Sequence, residues 1–371
     1  MSTSTHTGAA PTTPPAADTA APIPGPGEDG RHRPRHRTVV HRRLHRRLHS
    51  YLHRCLHRVV SRPTRRAAGQ RGRLIAGAAV ALAALLVVSP WLPNDPFNLG
   101  SLWQTVLPWS GLGIALLLLL AALRRSALAA VAVLLPALVW SVLFAPSLVD
   151  KRAGGGDLVV VSHNVNEDNP DPRRTALALA ASGADVVAVE ELASRAQETY
   201  RRELAATYPY SEVHGGIGLW SKYPLQGVET VEIMPWTRAL RATVLTPKGP
   251  VALYTAHLAS VRVRLDVGFT TFARNEAAAK LAAAVRSEPL PRVVVLGDLN
   301  GSFDDSALRT LTGPLRSAQQ EAGDGFGFTW PAPFPVVRID QILVKGVTPR
   351  SAWTLPDTGS DHLPVAASLR L

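Results

Sequence analysis

Val293-Val294-Val295-Leu296-Gly297-Asp298-Leu299-Asn300 opens on four apolar residues and closes on a glycine, a carboxylate and a carboxamide. The apolar half reads as a strand, being short, β-branched and ended by a turn signal. The polar half lies where that strand would leave its sheet. The same arrangement recurs through the C-terminal part of the chain, in Ser162-His163-Asn164-Val165-Asn166, Glu190-Glu191, His257, Arg338-Ile339-Asp340 and Ser360-Asp361-His362. Most of these follow directly on an apolar run. Several strands therefore deliver polar side chains to one edge of a sheet. Together the motifs supply carboxylates, carboxamides and imidazoles but no thiol nucleophile, an inventory that suits a hard divalent cation and an attacking water.

Working outward, short apolar runs alternate with Ala-rich helical patterns. Leu158–Val161, Asp185–Val189, Ile217–Trp220, Val228–Ile233, Ala239–Leu245, Val251–Ala256, Val293–Leu296 and Arg338–Val344 read as strands. Arg173–Ser182, Ser194–Tyr208 and Arg274–Arg286 read as helices. Strands mixed with helices in this way predict an α/β fold of two packed sheets with helices outside.

In this order and spacing the motifs resemble the endonuclease/exonuclease/phosphatase superfamily, which includes DNase I-like nucleases, inositol-phosphate phosphatases and sphingomyelinases. The resemblance runs from about Asp157 to Leu371. It extends to Thr329-Trp330-Pro331 and to Gly218-Leu219-Trp220-Ser221-Lys222-Tyr223-Pro224-Leu225. It implies a four-layer α/β sandwich, DNase I-like, with the site at one end. It also implies roles. Glu191 is the central metal ligand, Asn164 contacts the metal or the phosphate, and Asp361 helps hold the metal. Asp298 polarises the attacking water and Asn300 positions a phosphate oxygen. His257 contacts the phosphate or protonates the leaving oxygen. The implied cofactor is Mg²⁺, with Mn²⁺ or Ca²⁺ as substitutes. Similar family members read Gln-Glu where this chain has Glu190-Glu191, which leaves open which of the two carboxylates points inward.

The residues carry readings of their own. Asp340 and His362 form a base-and-orienter pair, because a carboxylate on one imidazole nitrogen fixes the tautomer and raises basicity. Adjacent Asp361 and His362 cannot share one face of a strand, so Gly359-Ser360 and Pro364 predict a loop there. Asp298 and Asn300 share a face if strand geometry continues through them. Asn164 equally fits an Asx turn at a strand end. Arg262 and Arg264 are candidates to grip a head group, although solvated arginines read the same way.

Charge is distributed unevenly. Residues 31–73 hold 15 arginines and no acid, residues 1–30 hold three acids, and residues 74–149 add a net +1, so the formal +12 of the chain leaves −1 for Asp150 onward. The high pI thus belongs to the N-terminal arm, and the part bearing the motifs is a poor polyanion collector. The single cysteine, Cys55, lies in that arm, so the C-terminal part must be held together by its core, which a domain of about 210 residues can supply.

Residues 1–30, rich in Pro, Ala, Thr and Gly, read as a disordered tail. Residues 31–73 form an Arg/His-rich arm, within which Leu44, Leu48, Leu52 and Leu56 repeat every fourth residue. As a helix this repeat gives a slowly winding apolar stripe among cations, suited to an anionic membrane surface; a low-complexity tract with only a topogenic role fits equally. Three segments of membrane-spanning length follow, at about 74–92, 103–123 and 126–149. Trp91, Trp103 and Trp109 sit near their ends, at the level of the lipid headgroups.

The arginine bias places the arm in the cytoplasm, Arg124 and Arg125 inside, and the C-terminal domain (158–371) outside after a linker of residues 150–157. Lys151 and Arg152 oppose this weakly. The linker reaches at most roughly 28 Å. The expectation is a multi-pass protein of the cell membrane whose domain hydrolyses a phosphate substrate at the outer face. A lipid-linked substrate is favoured over long nucleic acid, and no protein partner is expected. The three-span arrangement resembles actinobacterial membrane proteins associated with glycopeptide resistance, which implies a lipid-carrier phosphate. A membrane-tethered nuclease is the competing enzyme, and a phosphate-binding scaffold the reading from another class.

Overall fold

The structure is a computed structural model describing residues 65–371 apart from Leu265, with side chains from residue 72 onward. The expected disordered tail and nearly all of the basic arm, including its His-x-x-Leu repeat, lie outside the described residues. Three helical stretches, Gly72–Trp91, Leu99–Leu123 and Ala127–Leu148, are long and apolar enough to cross a membrane. They comprise α1 (Arg65–Val88), α2 (Leu99–Val106) continuing through a 3₁₀ turn into α3 (Ser110–Leu123), and α4 (Ala127–Phe144). The second stretch begins four residues before the predicted Trp103, because Asn94 accepts a hydrogen bond from the backbone N–H of Ser101 (2.7 Å) and closes an extra first turn. Ala79, Ala83, Ala121 and Ala129 are buried where the helices meet, small side chains that let backbones approach. Leu112, Leu116, Leu118, Leu119 and Leu123 of α3 face outward, whereas Leu117 packs against Ala79, Ile114 and Val133.

The remainder has fourteen strands: β1 (Leu158–Asn164), β2 (Val186–Glu190), β3 (Tyr210–His214), β4 (Ile217–Ser221), β5 (Leu225–Thr230), β6 (Ala239–Thr246), β7 (Gly249–Ala256), β8 (Val263–Arg264), β9 (Gly268–Phe269), β10 (Val293–Asp298), β11 (Arg316–Ser317), β12 (Asp340–Lys345), β13 (Thr348–Thr354) and β14 (Val365–Arg370). Twelve form two mixed six-stranded sheets, in the orders β13-β14-β1-β2-β4-β3 and β11-β12-β10-β7-β6-β5. The alternation of strand side chains builds three cores. Leu158, Val160, Val186, Leu253, Val294 and Leu296 meet between the sheets. The opposite face of the first sheet packs under α5 (Pro172–Ala180) and α6 (Gln197–Leu204) through Leu179, Tyr200 and Leu204. The opposite face of the second packs under α7 (Phe272–Arg286) through Leu281 and Val285. The result is the expected four-layer sandwich. Asp171 caps α5 by accepting from the N–H of Arg174 (2.9 Å), ahead of Pro172 at the first helical position.

Two local readings need correction. The strand predicted at Val228–Ile233 lies at Leu225–Thr230. Gly227 (φ +55°) interrupts its register, and Ile233 turns into the core under α7 instead of continuing the edge. Asn300 does not extend β10: its left-handed backbone (φ +47°) begins a turn at Asp298.

The domain is seated on the helix ends by direct bonds. Ser101 Oγ donates to Asp305 Oδ1 (2.9 Å), and Gln104 Oε1 accepts from Ser306 N–H (2.8 Å). Trp109 donates to the Val336 carbonyl (2.7 Å) and stacks on Phe328. Asn98 bonds the Phe269 carbonyl (2.7 Å), fastening the β8–β9 hairpin to the loop between the first two membrane stretches. The linker is not loose. Its Lys151, Ala153 and Asp157 N–H groups bond Gly323, Arg350 and Leu369 carbonyls at 3.1, 2.7 and 2.7 Å.

Candidate functional site

The strand pairings bring the polar motifs to one end of the sandwich. Parallel pairing sets Asn164 on β1 against Glu190 on β2, and antiparallel pairing sets Asp298 on β10 against Asp340 on β12. The two sheets are joined across this end by buried hydrogen bonds. Asn164 Nδ2 donates to Asp298 Oδ2 (3.1 Å), while Glu190 Oε1 accepts from Ser162 Oγ (3.0 Å) and from Thr255 Oγ1 on β7 (2.9 Å). Gly297 (φ +142°) allows β10 to pass close to β7: a Cβ there would lie 1.9 Å from the Ala256 carbonyl oxygen. Glu191 (φ +54°) and Asn300 both occupy the left-handed region, where non-glycine residues are uncommon and cluster at functional sites.

Glu190 is the inward carboxylate. It is fully buried, and burial, reinforced by the nearby Asp340 and Asp298 charges against the two hydroxyl donors, pushes its carboxyl up to about 8. It is therefore a neutral acid at neutral pH, close in shape and charge to the glutamine common at this position in similar proteins. Glu191 turns to the site edge, with Oε1 3.4 Å from His257 Nε2.

Around Asp298 the groups converge. Its Oδ2 lies 3.6 Å from His257 Nε2 and 3.9 Å from His362 Nε2, and Asn300 Nδ2 donates to it (3.2 Å). Burial first, and then the Asp340 charge, raise the Asp298 carboxyl to about 7. His362 Nδ1 sits 2.9 Å from Asp340 Oδ2. Burial alone would lower His362, but the charge and hydrogen bond of Asp340, with Asp298 and Asp361, outweigh it and raise the imidazole to about 10. His257 goes the other way. Burial, then the charges of Arg238 and His362, hold it well below its usual value. The Arg238 guanidinium donates to His257 Nδ1, so Nε2 carries the proton and faces Glu191 and Asp298. The site thus presents one cationic and one neutral imidazole, the separation that acid–base chemistry uses.

The donor set fits a hard divalent cation. One donor atom each from Asp298, Asp340 and His362 lies within 4.8 Å of the other two. His362, held cationic with Nδ1 on Asp340, has no lone pair to offer, which leaves Glu191 and the Asn164 carboxamide as the available hard ligands beside Asp298. A cation there would offset the burial and the Asp340 repulsion that keep Asp298 high.

The structure therefore gathers Asn164, Glu191, His257, Asp298, Asn300, Asp340 and His362. Asp361 is exposed in the turn before β14 and accepts from the Trp330 indole (3.3 Å), though its charge reaches His362. Arg262 and Arg264 are exposed on the β8–β9 hairpin, where Arg264 pairs with Asp266 at 2.7 Å. Sequence reasoning missed Arg238, which lies in a loop nineteen residues before His257 with no motif around it. It also missed Ser162 and Thr255, whose alternation with core residues on β1 and β7 was the available signal.

The model of the Endonuclease/Exonuclease/phosphatase family matches residues 161–362. The chain belongs to this family. The family's hydrolases act on phosphoesters, and its match ends on His362, so every residue of the cluster falls inside it. No curated protein matches the chain. Several solved structures are similar to this chain at low identity. A humanised D. rerio TDP2 is 20% identical over 58% of this chain and 99% of its own, with a TM-score of 0.49. Sphingomyelinase C from Streptomyces griseocarneus is 19% identical over 57% and 98%, with a TM-score of 0.45. Beta toxin from Staphylococcus aureus, solved with bound magnesium ions, is 18% identical over 57% and 99%, with a TM-score of 0.45.

Proposed function

We propose that this protein is a membrane-anchored, divalent-metal-dependent hydrolase of a lipid-linked phosphate ester or anhydride, working at the outer face of the cell membrane. The observation that carries the lipid-linked reading is the seating of the domain on the ends of the membrane-length helices. The hairpin that follows His257 is bonded to the loop between two of them through Asn98 and Phe269. The net charge of −1 from Asp150 onward supports the same reading against long nucleic acid. The outward orientation rests on the 15 arginines that precede the first span.

Glu191 and Asn164 would hold the cation, Mg²⁺ in the first instance, and Asp361 would join them on leaving the Trp330 indole. Bound there, the ion supplies neutralisation of charge on the phosphoryl oxygens. Asp298 accepts a proton from the attacking water. Asn300 and Asn164 orient the phosphoryl group. His362, held cationic by Asp340, stabilises charge as it develops. His257, neutral with its single proton on Nε2, would donate a hydrogen bond to the leaving oxygen. Arg262 and Arg264 would meet the head group at the membrane side.

The test is phosphate release by the full chain in liposomes from isoprenoid pyrophosphates, phospholipids, inositol phosphates and short single-stranded DNA, with Mg²⁺ and with EDTA. The expected result is Mg²⁺-dependent turnover of a lipid-linked phosphate and slow action on DNA. Efficient, steeply salt-dependent DNA degradation with every lipid phosphate ignored would install the tethered nuclease instead.

A further inference from the structure

A second cavity, of about 740 Å³, lies in the joint between the membrane helices and the domain, and no residue of the catalytic cluster lines it. That volume is within the range of small-molecule sites. Its membrane side is formed by Ser89, Gln104, Phe144 and Ser147, from the ends of three helical stretches that lie at one end of the bundle. That level is where lipid headgroups sit if the stretches span.

The polar chemistry of the cavity is unfinished. Ser302 Oγ, Gln319 Oε1, Arg338 Nε and Gln341 Oε1 belong to residues that line it, are buried, and have no hydrogen-bond partner among the described residues. Buried polar atoms are rarely left so, and several converging on one space suggest a polar occupant. Three cations also line it. Lys151, Arg309 and Arg338 donate only to the carbonyls of Gln320, Pro90 and Gly327, and none forms an ion pair among the described residues, although the Asp340 charge reaches Arg338. Of the two carboxylates on the lining, Asp305 is neutralised by the fully buried Arg274 (2.7 Å), and the exposed Asp304 accepts from Gln320 (3.1 Å). The balance favours an anion. The remaining wall is apolar: Phe326 stacks on Phe328 (5.2 Å), and Phe326 meets Phe144 edge-on (5.8 Å). Beside it, Leu143 on α4 leads to the outward apolar faces of the helices.

We infer that this cavity holds the headgroup of one anionic phospholipid of the surrounding bilayer, its phosphate among Lys151, Arg309 and Arg338 and its acyl chains along the exposed side of α4. The lipid is resident, not substrate. It would complete the seat on which β12, the strand carrying Asp340, rests.

The test is native mass spectrometry of the full chain in detergent, titrated with phosphatidylglycerol and with phosphatidylcholine of the same acyl chains. It is run in the Asp298→Asn background so that turnover does not enter and a failure of the hydrolase reading leaves the result legible. One phosphatidylglycerol should be retained at least tenfold more tightly than phosphatidylcholine. Lys151→Gln with Arg309→Gln should weaken it about thirtyfold, which is about 2 kcal/mol at 1.4 kcal/mol per decade and the effect of two cations near a headgroup. Ser147→Trp, which fills the space without removing charge, should abolish retention, and either variant's unchanged melting temperature shows that it folds. Equal retention of the two lipids, unchanged binding in both variants, or complete displacement by millimolar inorganic phosphate would each overturn the inference.

Discussion

Replacing Glu190 by Gln should make the metal-free protein more stable, and by an amount that depends on pH. The carboxyl is fully buried and raised from 4.5 to about 8, with desolvation the leading cause. Between those values the folded chain keeps a proton that the unfolded chain has released, so stability falls as pH rises through that window. At pH 7 the solution lies about 2.5 pH units above the unfolded-chain value of 4.5, so retaining the proton costs about 3 kcal/mol. A glutamine side chain keeps the acceptor for Ser162 and Thr255 and has no proton to retain. At roughly 2–4 °C per kcal/mol for a domain of this size, Glu190→Gln should melt about 10 °C above the parent at pH 7 in EDTA. The difference should shrink towards zero near pH 4.5. Adding Mg²⁺ should narrow it, because a cation beside Glu191 favours the Glu190 carboxylate. The measurement is thermal unfolding followed by tryptophan fluorescence from pH 4.5 to 8. A difference that is the same at pH 5 and pH 7.5, or a destabilised variant at pH 7, would refute the reasoning. Turnover in Mg²⁺ should change little.

Glu191→Gln and Asp298→Asn should each lower turnover by at least about 10²-fold, the low end of a positioned acid–base group, and EDTA should abolish it; full activity in EDTA removes the mechanism. Arg274→Met leaves the Asp305 carboxylate buried without its ion-pair partner and should cost about 3–5 kcal/mol by denaturant unfolding, whereas a loss below about 1 kcal/mol would show that Ser101 and local backbone suffice to hold Asp305. A reporter active only in the cytoplasm, fused after Leu371, should stay silent in intact cells, and a strong signal would reverse the proposed orientation.

The parts legible in the sequence were those with a local pattern. Val293–Leu296 announces a strand by composition, and Gly297 and Asp298 announce its end, so β10 and its polar tip could be placed without any partner strand. β13 and β14 could not. Thr348–Thr354 carries a proline and an arginine, and Val365–Arg370 is short and alanine-rich, so both become strands only through pairing with each other and with β1. The candidate site was readable because most of its polar residues leave an apolar run. The Arg238–His257 contact was not, since it depends on the register that sets Ala239 of β6 opposite Ala256 of β7 and so brings Arg238 beside His257. The seat of the domain was least readable of all. Ser101 and Asp305 lie 204 residues apart, and nothing near either one signals the other.

The bound linker has a mechanical consequence. A loose tether would let the domain sweep a hemisphere of solvent and collide with whatever passes. Here the segment from Lys151 to Asp157 lies along β13 and β14, and the domain is bolted to the helix ends besides. The active end is therefore carried at one altitude, like a tool in a fixed gantry. Adding residues to the segment would not extend its reach, because the bolts on the helix ends would remain. Under the proposed function, a phosphate would have to be presented at that altitude, so selection would begin with height above the helices, before any side chain had touched the substrate.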